Sequence, residues 1–526
     1  MKKILYTIVT IAILGMSSCL DDLDQYPHTE TTSKDVYTSV ENYKAVLGKL
    51  YVAFVTTGQE KGGGNGDLSS NSGEDYMRCY FNLQQSATDE VASTWLEGDN
   101  VKDLTFMSWD ANDPWVSDMY YRIFYNIALC NEFLRNATDD KIAAFSEADQ
   151  TQIRHYRAEA RFIRALAYYH ALDLFHDIPF VTEADPVGIY IPPRYEAKKV
   201  FEFIETELKD IDSELLSRTE CEYGRAPKGA AYALLAKLYL NAEVYTKAQR
   251  YTDCIEYCKK IIAEGYTLEP AYSKLFNADN HKRTNEIIFA LPVDATHTIS
   301  WGSTTYIICG AVSNTSEYQK ASDYGVTSGW GMFRVRGEVS SLFKEEDGRG
   351  MFFTEGQTQY LDKIDSQSNG YFVEKWTNIT DAGIVASNTA DGGVNTDFPL
   401  FRLADVYLML AESVTRGGTG ASVDEALGYV NLLRERAFAS NYNTKGKLVA
   451  ADMTVDFFLD ERARELYWEC VRRTDLIRYG KFTSASYTWQ WKGGVKEGRS
   501  VNSKYNIYPI PQTDLTANPN LYNENY

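Results

Sequence analysis

Histidine is scarce in this chain: the 6 residues His28, His155, His170, His176, His281 and His297 form no HExxH pattern and stand beside no nucleophile elbow. Metal-dependent and triad hydrolysis are left without their residues. Cysteine lacks pattern too. Besides Cys19 there are Cys79, Cys130, Cys221, Cys254, Cys258, Cys309 and Cys470, with no CxxC among them. An odd set cannot pair completely within one chain, so no disulfide framework is expected. Cys254 and Cys258 are spaced to share a helix face, yet no nearby His or Cys completes a tetrahedral metal set. Basic residues are outnumbered, 53 against 73 acidic ones, for a net charge of -20. That balance opposes phosphate backbones and excludes nucleic acid as a partner. The glycine-rich run Lys61 to Gly66 is followed by no GK[ST], which makes it a flexible surface loop rather than a phosphate cradle. Glycoside hydrolysis needs two carboxylates across a cleft. In so acidic a chain, neighbours such as Asp89-Glu90 or Glu345-Glu346 give no support for one, and no enzyme is expected.

The N-terminus has an address. Lys2 and Lys3 precede an apolar run from Ile4 to Leu14 and the small residues Gly15, Ser17 and Ser18, the pattern of a secretory signal peptide over 1–18. The run is well short of the ~20 residues that cross a bilayer as a helix. The junction Met16-Ser17-Ser18-Cys19 resembles the lipobox of bacterial lipoproteins, which implies that Cys19 is acylated and holds the chain to a membrane. The acidic stretch Leu20-Asp21-Asp22-Leu23-Asp24 resembles the surface-export signal of Bacteroidetes lipoproteins. A linker is expected over 19–40.

What is abundant is aromatic: 13% of the 526 residues, with Tyr 38 and Trp 9. At this length a single core is exceeded, and two lobes or a repeat architecture are expected. From Thr151 to Leu174, Ile153, Tyr156, Ala160, Ile163, Ala167, His170 and Leu174 recur at helical spacing. Arg154, Arg157, Arg161 and Arg164 follow one step round, as a flank that pairs with acids on neighbouring helices. Further helices are expected over Ala197 to Leu216, from Pro227, over Tyr251 to Ala263, Phe401 to Thr415, Ser422 to Ala437 and Val455 to Val471. The pair after Pro227 has the size of a tetratricopeptide unit. Stacked helix hairpins, an all-α class, are therefore the expected scaffold. The period fails from Leu268 to Pro399 and from Thr57 to Trp115, and such long irregular stretches usually carry function.

Several stretches together resemble the SusD/RagB family of Bacteroidetes, in particular its starch-binding members. They are Ser86-Ala87-Thr88-Asp89-Glu90, Glu159 to Tyr169 running into Asp173-Leu174-Phe175, and Phe401-Arg402-Leu403-Ala404-Asp405-Val406-Tyr407. Near the C-terminus come Glu461-Arg462-Ala463-Arg464-Glu465-Leu466, Arg473 to Gly480 and Tyr508-Pro509-Ile510-Pro511. The resemblance implies one interwoven fold, with portions 41–219 and 220–526, whose tetratricopeptide-like side packs on a SusC-type TonB-dependent transporter. Its irregular lobe would bind a glycan at the cell surface, on the outer membrane.

Thr305 to Gly310, Ser328-Gly329-Trp330 and Trp489 to Gly494 look like stretches of the starch-binding subgroup. By that likeness the ligand, an α-glucan or malto-oligosaccharide, meets an aromatic arc of Trp95, Trp301 and Trp330, with Tyr306 beside it and Arg78 and Asn100 as polar contributors. Ser93 stands where those relatives have a second tryptophan, and Gly98 where they have asparagine; Asn100 or Asp99 would supply the missing polar contact. Trp489 and Trp491 are taken as structural. Another glycan, or peptides, remains an alternative ligand, and a glycoside hydrolase a remote one. No cofactor is expected beyond a structural calcium ion, for which the Asp- and Asn-rich loops are suited.

Overall fold

The computed structural model of the chain describes residues 33–60, 62, 65–68, 74–386 and 392–523. The signal peptide, Cys19 and most of the linker lie outside the described residues. The helices that position the rest are α1 (Val40–Val52), α2 (Tyr76–Phe81), α3 (Pro114–Asn136), α4 (Glu147–Phe175), α5 (Ala197–Asp210), α6 (Lys228–Leu240), α7 (Tyr251–Ala263), α8 (Ser303–Gly310), α9 (Leu403–Thr415), α10 (Val423–Phe438), α11 (Val455–Leu466) and α12 (Arg472–Arg478).

Local chemistry sets their starts. The Asp113 side chain accepts from the Val116 amide at 3.0 Å and Pro114 takes the first helical position of α3, where a missing N–H costs nothing. Ser146 caps α4 in the same way, accepting from the Asp149 amide. Packing then stacks these elements as hairpins: α3 on α4, α4 on α5, α6 on α7, α7 on α9 and α9 on α10. The expected apolar face of α4 is buried throughout, from Ile153 to Leu174. Its arginine flank pairs as expected, Arg157 with Asp139 (2.9 Å), and Arg161 and Arg164 with Glu207 (2.6 and 2.7 Å).

Strands are short. Among the described residues they form four antiparallel ribbons: β1 (Ala92–Ser93) with β5 (Phe333–Arg334), β2 (Ile178–Pro179) with β3 (Arg194–Tyr195), β4 (Ile287–Leu291) with β8 (Phe398–Arg402), and β6 (Phe352–Phe353) with β7 (Phe372–Val373). The all-α reading stands, with ribbons added in the loop-rich lobe.

Several boundaries differ from expectation. Phe401 belongs to β8, because its stretch pairs with β4, and α9 starts only at Leu403. The last long helix stops at Leu466 rather than Val471, since Trp468 and Cys470 both take left-handed backbone (φ 61° and 60°). The Ala197 helix ends at Asp210. Helices α1 and α3 carry no counterpart in the sequence reading, and the stretch from Thr57 to Trp115 contains α2, which continues as a π turn over Asn82–Ser86.

The stretches that carried the family likeness meet one another inside the body. Arg472 makes a two-pronged pair with Asp89 (2.8 and 2.6 Å), and the Trp468 amide and indole donate to Glu90. Arg402 reaches Glu465 (2.7 Å), Glu469 (2.7 Å) and Glu286 (3.2 Å), while Arg349 reaches Glu461 and Glu465. Arg462 joins Asp405 and Asp475, and the Tyr508 hydroxyl donates to the Leu83 carbonyl. All of these groups are buried. Such pairs are conformationally exacting, because losing one partner strands a charge in low dielectric.

Candidate functional site

The pairing of β1 with β5 sets Ala92 opposite Arg334 and Ser93 opposite Phe333, so the segments holding Trp95 and Trp330 run side by side. The Thr94 amide donates to the Met332 carbonyl (2.9 Å) and its hydroxyl to the Gly331 carbonyl (2.8 Å), fixing that alignment. The Trp95 and Trp330 rings are 6.3 Å apart and nearly parallel, at 19°. Trp301, on the turn before α8, stands 6.5 Å from Trp330 at 58°. Three indoles from three loops thus make one curved row with Trp330 at its centre. Trp95 and Trp301 are 37% and 43% exposed, and Trp330 is half-buried. The row is open to solvent.

Glycines let neighbouring backbone approach Trp301. A Cβ on Gly62 would sit 3.4 Å from its Nε1, and one on Gly392 would sit 3.6 Å from the opposite edge of the ring. The Gly62 amide donates to the Ile299 carbonyl, so the described part of the glycine-rich stretch packs against this turn; Lys61, Gly63 and Gly64 lie outside the described residues.

Arg78 and Tyr306 are in the site but not on its surface. Arg78 on α2 is 7% exposed and Tyr306 on α8 is 0% exposed. The Arg78 guanidinium donates to the Trp301 carbonyl (2.8 Å), pairs with Asp99 (2.5 Å) and Glu74 (2.9 Å), and lies 4.2 Å from the Tyr306 ring centroid. The Tyr306 hydroxyl lies 2.7 Å from the other Asp99 oxygen. The expectation of direct ligand contact is corrected for Tyr306, which no solvent reaches, and Arg78 is nearly as deep: both brace the Trp95 and Trp301 loops from beneath, through Asp99 and the Trp301 carbonyl.

Charge follows burial here. Desolvation raises Asp99 above the usual carboxylate range although Arg78 and Tyr306 oppose it. Desolvation likewise raises Glu74 to about 7, against the pull of Arg78. For Arg78, burial alone acts downward, and the surrounding Tyr306, Asp99 and Glu74 outweigh it, so the guanidinium stays charged.

Asn100 is exposed in left-handed backbone (φ 52°), next to the inward-turned Asp99. Ser93 is buried within β1, its hydroxyl accepting from the Trp95 amide at 3.0 Å, and offers nothing to solvent. Gly98 has open space where a Cβ would be. Trp489 is fully buried and the Trp491 indole donates to the Leu361 carbonyl, structural roles as expected.

Sequence reasoning missed Asp75. Its carboxylate caps α2 through the Arg78 amide (2.8 Å) and accepts from Ser300 Oγ (2.5 Å), Ser303 Oγ (2.9 Å) and the Ser303 amide (3.2 Å), clasping both sides of Trp301. Gly302 completes the clasp, since a Cβ there would fall 2.2 Å from Asp75 Oδ1. An Asp just before an aromatic, helix-forming run is a legible cap, but its reach across to Ser300 is not.

The row suits the apolar face of sugar rings, with the indole N–H groups as polar handles. It does not suit hydrolysis. Glu74, Asp75 and Asp99, the carboxylates tied into the row, are engaged by Arg78, Ser300 and Ser303 rather than facing each other across a cleft. His170 is buried on α4 against the Tyr76 hydroxyl (2.6 Å), its pKa lowered by burial to about 3. Among the described residues no group of three or more His, Cys, Asp or Glu side chains is placed to hold a metal ion.

Comparison with known proteins now gives the class. The family model described as "SusD family" matches residues 352–526, and that described as "Starch-binding associating with outer membrane" matches residues 23–240. The starch-binding protein SusD of Bacteroides thetaiotaomicron is 32% identical over 579 residues, covering 100% of this chain and 99% of that protein. The chain belongs to the SusD family, whose members bind glycans at the cell surface and are not catalysts.

Solved structures agree on the fold. Surface glycan-binding protein A of Bacteroides thetaiotaomicron, in complex with laminarihexaose, superposes with a TM-score of 0.71 at 19% identity, over 93% of this chain and 100% of that one. A SusD superfamily protein of Parabacteroides distasonis gives 0.70 at 22% identity, over 94% and 100%.

Proposed function

We propose that the row of Trp95, Trp330 and Trp301 binds starch or a related α-glucan at the cell surface, and that the chain hands it to a SusC-type TonB-dependent transporter in the outer membrane, to which acylated Cys19 tethers it. The observation that carries the ligand class is that the row is not flat: Trp330 lies 6.3 Å from Trp95 and 6.5 Å from Trp301, its plane tilted 19° from the first and 58° from the second. A bent row selects a chain that bends with it. A straight or sheet-like glycan meets only part of it. Likeness to a starch-binding relative over the whole chain supports the same reading.

Native gel electrophoresis of the purified protein in gels containing amylopectin, pullulan, dextran or laminarin tests it. Retardation by amylopectin and pullulan that Trp330→Ala abolishes is the expected result. Retardation by laminarin alone would replace the α-glucan with a β-glucan, the class of ligand in the laminarihexaose complex of a protein of the same fold, and would make Ser93 and Gly98 marks of a changed specificity. The tether is tested by metabolic labelling with a fatty acid, which Cys19→Ala should eliminate, and the transporter by co-purification from detergent-solubilised outer membrane.

A further inference from the structure

A second concavity adjoins the row of indoles. Its volume is about 410 Å³ and its lining includes Ser313, Glu317, Tyr318, Glu355 and Gln367. The Trp330-Gly331 segment packs against residues that lead into its lining. The Trp330 amide donates to the Cys309 carbonyl (2.8 Å) and the Gly331 amide to the Val312 carbonyl (2.7 Å), so this segment lies directly on the one that leads into Ser313. On the groove side, a Cβ at Gly331 (φ +62°) would fall 2.3 Å from the Gln367 carboxamide. Gln367 therefore begins where Trp330 ends.

The groove offers one aromatic face and several free acceptors. Tyr318 is 52% exposed, and its ring is in ordinary contact range, 3.5 Å, of where a Cβ on Gly356 (φ +74°) would be. Among the described residues its hydroxyl has no hydrogen-bond partner, and neither Glu317 nor Glu355, both exposed, has an ion-pair partner. Gln367 is held in place: its Oε1 accepts from Ser313 Oγ (2.8 Å) and Thr315 Oγ1 (3.3 Å), and its Nε2 donates to Asn314 Oδ1 (2.7 Å).

A flat ring beside carboxylates is chemistry for a neutral polyol. The ring covers C–H groups, and each carboxylate accepts from hydroxyls. An anionic ligand would be repelled by Glu317 and Glu355, and no basic side chain lines the groove.

We infer that this groove is an extension subsite of the Trp330 row, taking a further sugar residue of the same glycan chain against Tyr318, with Glu317 and Glu355 accepting from its hydroxyls. The inference rests on the α-glucan reading above. It makes the protein selective for chain length, because a short ligand fills the row alone and a longer one gains the groove as well, a tethered contact at high effective concentration.

Isothermal titration of the purified protein with maltotriose and with maltoheptaose tests it in the parent, Tyr318→Ala, Glu355→Gln and Trp330→Ala. Tyr318 is on the surface, so its loss should leave the melting temperature unchanged. Tyr318→Ala is expected to weaken maltoheptaose roughly tenfold, about 1.4 kcal/mol, and to leave maltotriose within about twofold; Glu355→Gln should do the same to a smaller degree, on the order of threefold. Trp330→Ala should weaken both ligands. An unchanged affinity for maltoheptaose in Tyr318→Ala, with Trp330→Ala still inactive, overturns the groove and leaves the row. Failure of the parent to bind either ligand overturns both.

Discussion

The buried ion lattice around Arg402 and the open row around Trp330 use opposite physics. In the lattice, Arg349, Arg402 and Arg436 share Glu286, Glu461 and Glu465, all essentially without solvent exposure. In the row, large apolar faces are left in water and held from behind by a few polar ties. The lattice is indifferent to ligand and intolerant of change. The row stabilises little and is free to be retuned, which is how one scaffold can serve different glycans.

The sharpest way to break this contrast is to remove a lattice carboxylate. Glu465→Ala removes the carboxylate that Arg349, Arg402 and Arg436 share, leaving one buried positive charge uncompensated in the cluster, and is expected to cost about 3–5 kcal/mol of stability, read as a large fall in urea midpoint, while the fraction that remains folded binds glycan normally. An unaltered midpoint would sink the distinction between the two regions. Next in size is Trp330→Ala, which should lose about 2–4 kcal/mol of binding by titration calorimetry, with a much smaller change in midpoint than Glu465→Ala.

Acidity divides the buried carboxylates as well. Burial holds Glu90 up at about 8, from an ordinary value of 4.5, and Asp113 at about 7, from 3.8. Folding therefore favours their protonated forms: that stability is complete below pH 4.5 for Glu90 and is lost as pH rises through 8. Glu412 and Glu465 behave in the reverse sense. Desolvation acts upward on each, but the surrounding arginines outweigh it and hold both at about 2, so their stability is present above pH 4.5 and lost as pH falls toward 2. Linkage then predicts a melting temperature that is highest near pH 5 and declines toward pH 8. Glu90→Gln, which mimics the protonated acid, should flatten that decline; an equal slope in the variant would remove Glu90 as its source.

The smallest expected effect sharpens the row itself. Gly98→Asn adds an amide into open space beside Trp95, and one new hydrogen bond of about 0.5–1.5 kcal/mol should tighten glycan binding roughly twofold to tenfold with no change in midpoint. A looser complex would show that the space at Gly98 is used by the ligand.

The sequence by itself determined the helices whose burial repeats with helical period, such as α4 and α7, because that pattern is local: every turn reports the same face. It also named the three tryptophans and the stretches that carry family likeness. It did not show α3, whose polar and apolar residues interleave and whose clearest signal is the cap at Asp113. Nor did it reveal that those stretches serve the interior, Arg462 meeting Asp405 and Arg402 meeting Glu465. It grouped Arg78 and Tyr306 with the tryptophans but could not show that both lie beneath them, since residue type tells what a group can bind but not whether water reaches it. The family likeness had already grouped Trp95, Trp301 and Trp330; tertiary structure alone decided their spacing and relative tilt, and that Asp75 and Gly302 shape the edge at Trp301. Arg78 and Trp301 are 223 positions apart in the chain, and no local pattern encodes a contact across that distance; only the packing of β1 on β5 and of α2 beneath α8 brings the loops together.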